Sequence, residues 1–152
     1  MIAVYGHSQN RLVLRLGNVV LKLARSLHGL VCNLTEAGIW RRVSETDLAA
    51  YFVPVRWTNG LVLVMPYAGL TLSDWPEVSD DVHRAAACYG VMDRSPRNVA
   101  ANWQGRQALL DYGLTPIRCQ LFCPAYGAQA CCFAWIDGHW RDPMEGVKEW
   151  VT

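Results

Sequence analysis

The chain has 152 residues, of which 52% are hydrophobic and 18% charged. That is one domain's length, apolar enough to bury a core and too apolar for a disordered chain. Fourteen basic residues against thirteen acidic ones leave a formal net charge of +1, which excludes a protein that wraps nucleic acid by charge. Twelve of the basic residues are Arg and only two are Lys, Lys22 and Lys148. No uninterrupted apolar run is long enough for a membrane span. The first residues lack the basic and apolar blocks of a secretory signal. A soluble, cytoplasmic protein is therefore expected, with its six cysteines as thiols.

In chain order, residues 2–5 are a short apolar strand and Gly6–Asn10 a turn-like stretch. Residues 12–16 and the β-branched run Val19–Ala24 follow as strands, joined by a glycine-first hairpin turn at Gly17-Asn18. Asn33 can cap a helix running to about Val43, with Ala37, Ile39, Trp40 and Val43 as its apolar positions. Tyr51–Trp57 and Leu61–Met65 read as a second hairpin around Asn59-Gly60, with Pro66 ending it. Residues 80–90 have a helical pattern, placing Val82, Ala85, Ala86 and Tyr89 on one face. The segment 90–99 has turn character, and two short strands lie around Val99 and at Ala108–Leu110. Beyond residue 113, Ala128–Ile136 with Asp137-Gly138 suggests a strand and turn, and Glu145–Val151 a short helix.

Chemistry-bearing residues fall at the joints of this order. Lys22 sits mid-strand in Val-Leu-Lys-Leu-Ala, Asp93-Arg-Ser-Pro-Arg-Asn98 forms the polar loop, and Asp111-Tyr112-Gly113 ends the last short strand. Asp93 and Asn98 have the D-x-x-x-x-N spacing of a kinase catalytic loop, and Asp111-Tyr112-Gly113, thirteen residues on, is similar to D-F-G. Leu63–Gly69 is similar to the fifth strand running into a nucleotide hinge. Over about residues 2–113 the sequence resembles the protein kinase superfamily, and small bacteriophage-encoded kinase-like proteins within it.

The resemblance implies a minimal α+β kinase-like domain. An N-lobe of about residues 1–68 would carry a small antiparallel sheet and one helix, and a truncated C-lobe would occupy about 69–152. It implies ATP and Mg²⁺ as ligands. Lys22, Glu36, Met65 and Tyr67 would line the nucleotide site, Asn98 and Asp111 would hold the metal, and Asp93 would be the catalytic base. A host protein is the implied partner, either as phosphoacceptor or as the target of a catalytically silent, kinase-shaped binder.

Each assignment has a plainer alternative. Lys22 could face solvent from a half-buried strand. Glu36 fits a capping box with Asn33 as well as a pair with Lys22. Asp93 could simply form a turn before Ser95-Pro96, with Asn98 and Asp111 as a turn residue and a strand end. The late cysteines Cys119, Cys123, Cys131 and Cys132 could bind zinc with His139, but their spacing matches no regular zinc ribbon, so buried thiols are expected instead. Trp135, Trp140 and Trp150 could form a partner surface. Departures from the kinase pattern are large. Gly6 alone stands for the glycine-rich loop, Val91-Met92 precedes Asp93 in place of His-Arg, and Ser95 takes a usual lysine position, where Arg94 or Arg97 could compensate. The 39 residues after Gly113 are too few for a full substrate platform.

Overall fold

The computed structural model describes residues 2–7, 10–72, 78–101, 105–113, 134–136 and 139–141. Its first part is an antiparallel meander, as the sequence predicts. Strands β1 (Ile2–His7), β2 (Arg11–Leu16) and β3 (Val19–Ala24) pair in order, and Gly17 makes the β2–β3 turn with φ +59°. β1 runs through Gly6 and His7, expected as turn, by shifting its register against β2 between Val4 and Gly6.

Helix α1 (Leu27–Val43) begins six residues before the expected cap. Ser26 is the true N-cap, and its Oγ accepts from the Gly29 amide at 3.2 Å. Gly29 approaches β2 so closely that a Cβ there would strike the Asn10 carbonyl. The buried positions of α1 are Gly29, Cys32, Asn33, Glu36, Ile39 and Val43, a regular helical stripe. Its first half is small or polar. A search for apolar periodicity therefore detects only the second half.

The expected strand Tyr51–Trp57 is largely replaced. A 3₁₀ turn occupies Asp47–Tyr51, and β4 is only Trp57–Thr58 against β5 (Val62–Pro66). Pro54 has no N–H to give a ladder. Val53 instead donates to the Leu109 carbonyl at 2.9 Å, and Phe52 bridges to Leu109. Gly60 makes the β4–β5 turn with φ +87°. The completed five-stranded sheet has the order β1-β2-β3-β5-β4.

A short strand not expected from the sequence, β6 (Leu70–Thr71), pairs with β7 (Val99–Ala101), which pairs with β8 (Gln107–Leu109). Helix α2 (Asp80–Cys88) is capped by Ser79 and buries Val82, Ala85 and Ala86, as its pattern predicts. A 3₁₀ turn at Pro96–Asn98 leads into β7. β9 (Ala134–Ile136), inside the expected late strand, pairs with β10 (His139–Arg141). The expected C-terminal helix, the four late cysteines and Trp150 lie outside the described residues.

The fold is α+β, with a small antiparallel sheet and one helix packed beside a second small sheet and helix. One core joins them: Ile39 and Val43 of α1, Leu63 and Met65 of β5, Val82, Ala85 and Ala86 of α2, and Phe52, Leu109 and Tyr112. Each large, fully buried side chain there contributes about 1.5–3 kcal/mol. Among the described residues, no helix is long and apolar enough to cross a membrane.

Candidate functional site

The inward face of β3 carries Lys22, which is paired across the ladder with Val13 of β2 and Leu63 of β5. Strand partners share a face, and so do residues two apart. Met65 of β5 and Arg11 of β2 therefore lie on the same side of the sheet as Lys22. α1 crosses that face and places Glu36 opposite. Asn33, one turn before Glu36, ties the helix to the sheet. Its Nδ2 donates to the Lys22 carbonyl at 3.2 Å and to the Gly60 carbonyl at 2.8 Å.

Lys22 is only 3% exposed, and Glu36 is fully buried. Lys22 Nζ donates to Glu36 Oε2 at 2.7 Å and to the Leu110 carbonyl at 2.5 Å. Glu36 is therefore a buried ion-pair partner in the middle of a helix, and Asn33 is a buried cross-link. The capping-box alternative fails because the helix is already two turns old at Asn33. The solvent-facing alternative for Lys22 fails on its burial.

Sequence reasoning missed Arg11. It is buried, donates from Nη1 to Glu36 Oε1 at 2.5 Å, and makes a further ion pair from Nη2 to Asp111 Oδ2. Two cations, Arg11 and Lys22, thus meet two carboxylates, Glu36 and Asp111. One signal could have found it. Arg11 is opposite Ala24, two residues from Lys22, so strand parity puts it inside whenever Lys22 is inside.

The charges respond to this packing. Partial desolvation works to raise the Asp111 carboxyl, but Lys22 and Arg11 outweigh it and hold the group well below the usual carboxylate range. Burial pushes Glu36 the other way, above that range, against the pull of Lys22 and Arg11. Desolvation works against the Arg11 cation, and Asp111 and Glu36 more than restore it. Asp111 differs from Glu36 in exposure: 37% of its side chain remains open.

The flanking residues fix this arrangement. Tyr112 is wholly buried, its hydroxyl donates to the Val53 carbonyl at 2.8 Å, and its ring meets Phe52 edge-on at 5.2 Å. Gly113 lies against α1. A Cβ there would come within 2.8 Å of the Cys32 carbonyl oxygen, so only glycine fits without a shift. Asp111 is thus held between a locked ring and a close backbone contact.

The polar loop joins through backbone bonds. Leu110, whose carbonyl receives Lys22, donates its own N–H to the Asn98 carbonyl at 2.7 Å. Asn98 Nδ2 lies 3.5 Å from the Asp93 carbonyl. Asp93 Oδ1 accepts from the Ser95 amide at 3.2 Å, so Asp93 does form the local turn, while staying partly exposed. Of the residues expected to line a nucleotide, Met65 is packed into the core, 1% exposed. Tyr67 is half-buried beyond the end of β5. Its N–H donates to the Asn18 carbonyl at 2.9 Å, and Arg15 covers its ring with Cζ 3.5 Å from the centroid.

The structure therefore links Lys22, Glu36 and Asp111 into one cluster through Arg11 and the Leu110 carbonyl, with Asn98 and Asp93 in the adjoining loop. Asn98 and Asp111 are oxygen donors of the type Mg²⁺ takes. A cation at Asp111, however, would face the Arg11 guanidinium. Among the described residues, no group of three or more His, Cys, Asp or Glu could hold a metal. No protein-family model matches the chain, and no curated protein matches it.

Proposed function

We propose that this protein is a kinase-like ATP-binding protein, with Lys22 as the contact for the nucleotide's phosphates. The observation that supports this most is the burial of Lys22 between Glu36 Oε2 and the Leu110 carbonyl, which puts a compact ammonium beside Asp111. A charged side chain buried at this cost needs either partners or a function, and this one sits where three separated motifs converge. Asp93, partly exposed in the adjoining loop, is the candidate base for an incoming hydroxyl of a host protein. Mg²⁺ at Asn98 and Asp111 enters this reading only if Arg11 leaves Asp111.

The Arg11–Asp111 pair favours a second reading, a silent pseudokinase that binds nucleotide and modulates a host protein. Radiolabelled ATP separates the two. Transfer by the wild type that is lost in Asp93→Asn and Asp111→Asn supports phosphotransfer. Equal labelling in all three ends it. A thermal-shift series with ATP, run beside these assays, supports nucleotide binding if melting rises with ligand and opposes it if melting stays flat.

A further inference from the structure

The Arg11 guanidinium is the feature of the cluster that the kinase-like reading does not use. Its neighbours show what it does to the charge. Lys22, Glu36 and Asp111 alone would sum to −1, and that deficit is what a divalent cation would correct. With Arg11 the four side chains sum to zero. The guanidinium cannot lose its proton at any ordinary pH, and its planar fork reaches two carboxylates at once from Nη1 and Nη2. It is also held in place. Arg11 starts β2 next to the Asn10 carbonyl, which receives the Arg25 amide at 2.8 Å, and its Nη1 lies 3.4 Å from Asn33 Oδ1 as well. A divalent ion bound at Asp111 Oδ2 would meet this fixed positive charge directly, and at ion-pair distance like charges repel.

We propose that Arg11 serves in place of a divalent cation at Asp111, so that the protein binds a nucleoside triphosphate without metal. The guanidinium bridges Asp111 to the phosphates as a metal would, and Lys22 supplies the second positive charge. The proposal rests on nucleotide binding at Lys22 and replaces the metal in that reading. Arg11 is then a specificity-determining residue. It selects the free triphosphate over its magnesium complex, because the complex brings two more positive charges against the fork.

The test is ATP titration by calorimetry in EDTA and in excess Mg²⁺, on the full chain. The wild type is expected to bind ATP in EDTA at least as tightly as in magnesium. Arg11→Gln leaves the cluster at −1. It is expected to lose at least about tenfold in affinity in EDTA and to regain it when Mg²⁺ is added. ATP binding by the wild type only when magnesium is present would overturn the proposal while leaving the nucleotide-binding reading standing. So would an Arg11→Gln variant with unchanged or tighter binding in EDTA, which would make Arg11 a plug. No binding under either condition would overturn both. The wild-type comparison needs no variant and decides the question even if Arg11→Gln does not fold.

Discussion

The two halves of α1 bury the same helical stripe for different ends. Its second half places Ile39 and Val43, both fully buried, in the apolar core. Its first half places Gly29, Cys32, Asn33 and Glu36 against strands that carry Arg11 and Lys22. One half is held by dispersion and water exclusion, the other by a neutral set of charges whose members each need the rest. Burial therefore does not mean the same risk along one helix. A trimmed apolar side chain leaves a small void, and a trimmed charge leaves another charge stranded.

The largest expected effect comes from the polar half. Glu36→Ala leaves Arg11 and Lys22 buried without their shared carboxylate and should cost about 3–5 kcal/mol in urea denaturation. If it costs no more than a core methyl, the contrast between the halves is wrong. Gly29→Ala comes next. In an ordinary helix interior this change stabilises by up to about 1 kcal/mol. Here the new Cβ would strike the Asn10 carbonyl, so it should destabilise by about 1–3 kcal/mol. A stabilised variant would show that the start of α1 is free to move off β2. Ile39→Val in the apolar half should cost only about 0.5–1.5 kcal/mol, and a larger loss would blur the comparison from the other side.

The smallest effect is on pH dependence. Asp111 is held below its ordinary value in the folded protein, so its contribution to stability is present above about pH 3.9 and is lost as pH falls through the folded value. Glu36, raised by burial, contributes in the opposite sense: its stability is present below the ordinary glutamate value and is lost as pH rises. Subtracting the stability–pH curve of Asp111→Asn from that of the wild type should therefore leave a difference that is level at neutral pH and declines in acid. A difference that grows in acid would mean that Asp111 is not held ionised by Lys22 and Arg11.

Much of the architecture was legible because local chemistry and global packing agree. Gly17-Asn18 closes β2 on β3, the apolar face of residues 82–86 marks α2, and strands at Val99 and Ala108 follow from their composition. The start of α1 was not legible, because Asn33 and Glu36 look like a cap and in fact fill a buried polar face. The Tyr51–Trp57 segment misled because its β-like composition ignores Pro54 and the pull of the Leu109 backbone. At the candidate site, motif spacing singles out Asp93, Asn98 and Asp111 and an apolar strand singles out Lys22, but no motif marks Arg11. One arginine among twelve, at a strand end beside a turn, reads as surface charge until strand pairing shows which way it faces.

On the proposed reading, the polar half of α1 holds Lys22 for a nucleotide's phosphates. Calorimetric titration of ATP into the wild type and into Lys22→Met tests it most directly, with circular dichroism to show that both are folded. The account predicts saturable binding by the wild type and a loss of at least about tenfold in affinity in the variant. Equal affinity in the two proteins, or no binding by the wild type, would contradict it.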